Sequence, residues 1–321
     1  MSPREILESP PALASRLSGL ESVLNAAIRG KPEVIRLSLV GLLSRGHLLI
    51  EDVPGVGKTT LAQVLAKSVT CQFHRLQFTS DMLPSDVLGV TVYNQHAGAF
   101  EFRPGPIFTN FLLADEINRT PPKTQSALLE AMNELQVTVD GKSNLLPRPF
   151  MVIATQNPVE HHGTYPLPES QLDRFLMRLR IGYPGAAAER EIVRNPGDLP
   201  MASPSGVTAD DLLEMQAQVP QVDVDEALVD YMLAIVDKTR SHPALTLGVS
   251  PRGSQALFRG VQALAFLEGR DYALPDDVKR LAIPVFAHRV VVNYRTTLAH
   301  RRSDLGDRII EEILTQVDVP L

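Results

Sequence analysis

The residues most suited to chemistry are Glu51-Asp-Val-Pro-Gly-Val-Gly-Lys-Thr-Thr60. They lie between a short apolar run, His47-Leu-Leu-Ile50, and a helix-favouring segment, Leu61-Ala-Gln-Val-Leu-Ala-Lys67. Strand, glycine-bearing loop, lysine, hydroxyl and helix is the order of a loop that cradles nucleoside-triphosphate phosphates. Gly55 and Gly57 let backbone N–H groups turn inward around phosphate oxygens, where a Cβ would crowd them. Lys58 is expected to reach the β- and γ-phosphates and the Thr59 hydroxyl to ligate Mg²⁺, with the helix N-terminus adding partial positive charge. The candidate nucleotide-binding residues are therefore Asp52, Val53, Pro54, Gly55, Val56, Gly57, Lys58, Thr59 and Thr60. Asp52 departs from the usual pattern, which has a glycine there.

A second motif bears on hydrolysis. Phe111-Leu-Leu-Ala-Asp115-Glu116 reads as a buried parallel strand that delivers two carboxylates at its C-terminal end. That edge of an α/β sheet is where ligands sit. Asp115 is expected to hold Mg²⁺, partly through water, and Glu116 to polarise the attacking water as a general base. A solvated strand end is the alternative for an acid pair standing alone; behind a phosphate loop, ATP hydrolysis is the stronger reading.

These residues need a scaffold, and the chain alternates strand-like and helix-like segments up to about residue 184. Helices are expected over 13–29, 31–44 and 59–68, and strands over 47–51, 73–78, 111–114, 150–155 and 175–181. The alternation predicts a parallel sheet with helices on both faces. Two β-hairpins are inserted, one over 90–103 and one over 135–144 that turns at Asp140-Gly141. Between them, residues 120–132 form a proline-started helix. After Tyr183-Pro-Gly185 strand signals vanish. Amphipathic helices follow, with a Pro/Ser/Gly-rich loop over 195–206. The expected division is an α/β nucleotide-binding core over 1–185 and an all-helical second domain over 186–321.

Composition narrows the classes. At 321 residues and 44% hydrophobic content the chain can bury sizeable cores. Its 31 Lys and Arg against 37 Asp and Glu give a net charge of −6, which argues against a nucleic-acid surface as its main business. The single cysteine, Cys71, suits a reducing compartment. No signal peptide and no span of about 20 apolar residues is visible, so a cytoplasmic protein with no membrane insertion is expected. His161 and His162 are adjacent and lack spaced partners, which argues against a zinc site.

Several further stretches complete a resemblance: Phe102-Arg-Pro-Gly-Pro-Ile-Phe108, Leu113-Ala-Asp-Glu-Ile-Asn-Arg119, Pro122-Lys-Thr-Gln-Ser-Ala-Leu-Leu-Glu-Ala-Met132, Ile153-Ala-Thr-Gln-Asn-Pro158, Leu167-Pro-Glu-Ser-Gln-Leu-Asp-Arg-Phe175 and Leu247-Gly-Val-Ser-Pro-Arg252. Together with the phosphate loop, and in this order over nearly the whole chain, they resemble the AAA+ ATPases and, within them, the MoxR family. Asp52 matches that family's habit at its position. The resemblance implies that Asn157 is the polar sensor-1 residue orienting the lytic water. It implies that Arg174 is an arginine finger reaching a neighbouring subunit's γ-phosphate, and that Arg252 is the sensor-2 arginine of the lid. Whether Arg252 acts in cis or in trans stays open. Read without the resemblance, Asn157 caps a turn before Pro158, and Arg174 pairs with Asp173 or Glu169.

The resemblance further implies ATP and Mg²⁺ as cofactors, a ring, most simply a hexamer, and remodelling of a protein client alongside a von Willebrand factor A (VWA) domain partner. An ATPase subunit of a magnesium-chelatase-like complex and a nucleic-acid motor are the alternatives. The acidic balance and the lack of tryptophan speak against the motor. Aromatics Tyr93, Phe100 and Phe102 either pack the first hairpin onto the sheet or face a partner, and the polar stretch Lys142-Ser-Asn144 is the expected contact of the second.

Overall fold

The computed structural model describes residues 10–157, 163–194, 206–293 and 302–320. Helices α1 (Pro10–Ala27) and α2 (Pro32–Leu43) lead into β1 (Leu48–Glu51), the phosphate loop, α3 (Lys58–Ser68) and β2 (Phe73–Gln77). A short α4 (Pro84–Leu88) opens the first hairpin, β3 (Gly89–Asn94) and β4 (Ala99–Pro104). Then come β5 (Phe111–Asp115), α5 (Pro122–Glu134), the second hairpin of β6 (Gln136–Val139) and β7 (Lys142–Leu145), and β8 (Met151–Gln156). A one-turn α6 (Glu169–Leu172) and β9 (Met177–Leu179) close this part. The remainder runs α7 (Ala186–Arg194), α8 (Ala209–Gln218), α9 (Glu226–Ser241), β10 (Leu245–Leu247), α10 (Pro251–Leu267), α11 (Pro275–Phe286), β11 (Val291–Val292) and α12 (Arg302–Gln316).

Five strands form one parallel sheet in the order β2-β5-β8-β1-β9. The register brings Gln77 opposite Asp115 and Glu51 opposite Gln156, so the carboxyl ends of four strands lie along one edge. The period-2 alternation of strands sends their apolar side chains to two separate cores. Leu48, Ile50, Phe111, Leu113, Met151 and Ile153 join one core, whereas Leu49, Leu112, Ala114, Val152 and Ala154 join the other. The second core is closed by α5 through Leu128, Leu129 and Met132. The first continues from α1, α2 and α3 into the helices after 206, including Leu257, Leu264 and Phe286. The expected boundary near 185 thus matches the end of the sheet but not a break in the apolar core.

Among the described residues after 186, helices predominate, joined by a small ribbon and an isolated bridge between Asp223 and Tyr272. Strands β10 and β11 pair antiparallel, with an irregular register between Leu245 and Leu247. Runs of three and two residues are too short to show a period-2 pattern in sequence. The loop over 195–205 and His161-His162 lie outside the described residues. No helix among the described residues is long and apolar enough to cross a membrane.

Two buried cations tie the helical part to the sheet. Arg289 is only 4% exposed; it donates to Asp173 Oδ1 at 2.8 Å and to the Leu176 carbonyl at 3.0 Å. Burial pulls it down to about 10, and Asp173 works in the opposite direction. Arg178 joins Glu51 at 3.1 Å to Asp307 of α12.

His47, at the start of β1, shows how tightly the sheet edge is built. Its Nδ1 accepts from the Val152 N–H at 3.0 Å, and its Nε2 faces the Met132 carbonyl at 3.1 Å. A neutral ring protonated on Nε2 satisfies both partners, and complete burial pulls the group down to about 4. The unfolded chain binds the proton near pH 6.5, so this site costs nothing above that pH. The cost grows as pH falls toward 4, reaching about 2 kcal/mol at pH 5. We predict that His47→Gln, whose amide offers the same donor and acceptor, removes this part of the stability loss between pH 7.5 and 5. Urea unfolding of both proteins at the two pH values reads the difference. An identical slope for the two would refute the assignment.

Candidate active site

Gly55 and Gly57 adopt left-handed conformations, φ +84° and +94°, with nothing within 4 Å of where a Cβ would sit. Glycine is therefore required by the backbone turn and not by crowding within the chain. The turn leaves open space before the first N–H groups of α3, where Lys58 and Thr59 begin the helix. The Lys58 ammonium donates to the Asp52 carbonyl at 2.7 Å. Asp52 has a structural anchoring role as well. Its side chain is nearly buried, with Oδ1 accepting from the Val53 N–H at 2.9 Å and Oδ2 from the Gly182 N–H at 2.6 Å. A carboxylate is acceptor-only and repels phosphate, and here it ties the loop to the segment leaving β9. Only the backbone of Asp52 is left to a nucleotide.

The acid pair sits where β5 ends. Asp115 is 8% exposed; its Oδ1 accepts from the Thr155 hydroxyl at 2.6 Å, and its Oδ2 from Arg75 Nη2 at 2.6 Å. Glu116 follows in a left-handed conformation, φ +58°, which turns it off the strand axis. Its N–H donates to Thr155 Oγ1 at 2.9 Å, and its Oε2 accepts from Gln77 Nε2 and from Arg119 Nε, each at 2.8 Å. Thr155 thus fixes both members of the pair from the neighbouring strand. Arg75 and Gln77, on the edge strand β2, grip one carboxylate each. None of these three was found by reading the sequence; the signal was their place at strand ends paired with β5.

The donor set suits Mg²⁺. A carboxylate and a threonine hydroxyl are hard oxygen ligands, and the loop's open N–H groups would hold the phosphates that share the ion. Asn157 follows β8 directly and is buried at the same edge, so the sheet brings it together with Lys58, Asp115 and Glu116.

Arg174 and Arg252 lie elsewhere. Both line one cleft of about 520 Å³ between the sheet part and α10, which also takes in Arg45, Arg259, Arg289, Asp173 and Glu134 and none of the loop or acid-pair residues. The surface pairing of Arg174 with Asp173 or Glu169 does not occur, because Asp173 is taken by Arg289 and by the Ser250 hydroxyl at 2.9 Å. Arg174 instead faces the Asn133 amide, which with its oxygen turned toward the guanidinium accepts from Nη1 and Nε at 3.3 Å each. Burial, and next the charge on Arg252, pull the Arg174 guanidinium below the ordinary arginine range.

A parallel sheet with a phosphate loop, an acid pair on the adjoining strand edge and a helical lid is the architecture of an AAA+ ATPase. Residues 47–177 match the ATPase family associated with various cellular activities (AAA), and residues 237–313 match the AAA lid domain. The chain is 41% identical to the chaperone MoxR1 of Mycobacterium tuberculosis, over 98% of this chain and 86% of that one. It is 50% identical to the protein YeaC of Bacillus subtilis over 93% of each. A crystal structure of a candidate ATPase from Cytophaga hutchinsonii superposes with a TM-score of 0.88 at 38% identity, covering 97% of both chains. The chain belongs to the MoxR family of AAA+ ATPases and hydrolyses ATP.

Thr155→Val keeps the shape of the side chain but strips both hydrogen bonds from the acid pair. We predict a loss of about 1–3 kcal/mol in unfolding free energy together with a fall in ATP turnover, with Thr155→Ser restoring both. Denaturant titration beside a phosphate-release assay checks this. Turnover unchanged in a Thr155→Val protein would refute the positioning role.

Proposed function

We propose that this ATPase works as a ring, most simply a hexamer, in which each nucleotide lies between two subunits. One observation carries the reading: the loop and acid pair sit on one surface of the chain, and Arg174 and Arg252 sit together in a cleft that contains neither. Within a subunit the two sets are parts of different sites; between subunits they complete each other. Arg174 is then the finger on the neighbour's γ-phosphate. Arg252, sharing its cleft, acts in trans as well.

In the first subunit the loop N–H groups and Lys58 hold the phosphates. Thr59 and Asp115 would hold Mg²⁺, which would supply charge neutralisation of the phosphate chain. Glu116 takes the proton of the attacking water once Gln77 and Arg119 release its carboxylate, and Asn157 orients that water. The nucleotide-binding core over 1–185 drives the lid over 186–321.

The cycle is spent on a protein client, as the name of the mycobacterial relative suggests for that protein, and a VWA-domain protein is the partner of choice. A cytoplasmic setting fits the lone Cys71, whose thiol burial pushes up to about 11 and out of easy redox chemistry. The first hairpin offers the contact: Phe102 packs on Phe108 at 5.6 Å, while Tyr93 and Phe100 stack edge-on at 5.2 Å with Phe100 71% exposed. Lys142, Ser143 and Asn144 belong to strand β7, with Lys142 next to the turn and Lys142 and Ser143 exposed, which leaves the second ribbon open to a partner as well. A magnesium-chelatase-like subunit shares this mechanism with another client; nothing on this surface favours a nucleic-acid motor.

Lys58→Ala is expected to lose ATP binding, whereas Glu116→Gln binds ATP and turns it over about 100-fold more slowly or worse. Arg174→Ala costs roughly 10³-fold in rate, and mixing it with Glu116→Gln subunits restores activity because mixed interfaces pair an intact finger with an intact site. Phosphate release from rings verified by mass photometry measures all three. A mixture as inactive as its parts would sink the shared site.

A further inference from the structure

The cleft holding Arg174 and Arg252 carries more positive charge than a finger and a sensor account for. Arg252 and Arg259 are seven residues apart on α10, two turns or about 10 Å along one face of the helix. Both line the cleft together with Arg45, at the turn between α2 and β1, where the preceding Ser44 hydroxyl lies 3.4 Å from the Arg259 carbonyl. The cleft offers two carboxylates. Asp173 is committed to Arg289 and Ser250, and Glu134 lies in the field of Arg174. Among the described residues no carboxylate pairs with Arg45, Arg252 or Arg259. Burial, then the charge of Arg252, pull Arg259 below the ordinary arginine range, and Arg259 in turn presses on His47 and Arg289. Arg45, Arg252 and Arg259 are all exposed on the lining of this cleft, so an incoming anion can reach the three guanidiniums together.

Resting on the ring reading above, we propose that Arg259 is a third cation presented in trans, contacting the phosphate chain of the ATP bound by the next subunit. The two arginines of α10 would follow the phosphate chain along its length while Arg174 approaches from the core. A triphosphate with roughly four negative charges matches this crowding, and a planar guanidinium fork suits phosphate oxygens better than an ammonium does. Because Arg259 belongs to the lid and Arg174 to the core, the neighbour's nucleotide would then clamp the lid against the core it packs on. Loss of the γ-phosphate loosens that clamp.

The test is turnover per assembled ring. Arg259→Ala and Arg259→Lys are compared with the wild type at a protein concentration where mass photometry shows rings for each. Arg259→Ala should lower kcat about tenfold or more, with the affinity for ATP held by Lys58 little changed and Arg259→Lys intermediate. Mixed with Glu116→Gln subunits, Arg259→Ala should regain activity, because the intact Arg259 then comes from the subunit whose own site is dead. The control is the Arg174→Ala mixture. If that recovers and the Arg259→Ala mixture does not, Arg259 acts within its own subunit and this proposal is wrong while the shared site stands. If neither recovers, the shared site itself fails. Wild-type turnover in fully assembled Arg259→Ala rings would mean that Arg259 meets a protein carboxylate of the neighbour and not its nucleotide, which also overturns the proposal.

Discussion

A cleft that collects Arg45, Arg174, Arg252, Arg259 and Arg289 around two carboxylates is electrostatically unfinished in a single chain. Burial first, and neighbouring guanidiniums after it, pull Arg174, Arg259 and Arg289 below the ordinary arginine range, while Arg45, Arg252 and Arg259 keep exposed surface on the cleft lining. On the other surface the acid pair is held by cations that belong to its own sheet, Arg75 on Asp115 and Arg119 on Glu116. One surface is therefore locally neutralised and the other waits for an anion. In the proposed ring, a nucleotide bound on the first surface would be presented to the second surface of another copy.

The same sorting connects the nucleotide to the lid. Glu51, the last residue of β1, reaches Arg178, and Arg178 reaches Asp307 on α12. Asp52, the first residue of the loop, grips the Gly182 N–H where the chain departs for α7. The two residues at the start of the loop are thus anchored, Glu51 to the helical part through Arg178 and Asp52 to the segment that leads into it. The continuous apolar core from α1 and α2 into α10 and α11 backs these anchors.

What could be read from sequence was what a local backbone requirement dictates. Gly55, Gly57, Lys58 and Thr59 are contiguous, and Asp115 and Glu116 close a continuous apolar strand, so both motifs carry their own geometry. Arg75, Gln77 and Thr155 were invisible because strand order and register place them: β2 lies beside β5 only after the chain crosses over from β1 through α3. The anchoring role of the Asp52 side chain was invisible for the same reason, since its partner Gly182 is 130 residues away. Arg259 did leave a trace, seven residues after Arg252 on a helix whose start Ser250-Pro251 announces, but an exposed arginine on a helix face ordinarily means only solvent. The pairing of Arg289 with Asp173 across 116 residues removed the partner that sequence proximity had offered Arg174.

The central claim is that catalysis needs two copies of this chain. Its most direct measurement is ATP turnover per protomer across a dilution series, with the oligomeric state followed in the same samples by mass photometry. Specific activity should be near zero where monomers dominate and should rise with the fraction of protomers in rings, levelling off once all are assembled. A specific activity that stays constant from assembled rings down to isolated monomers would contradict the account, because it would show that one chain completes its own site.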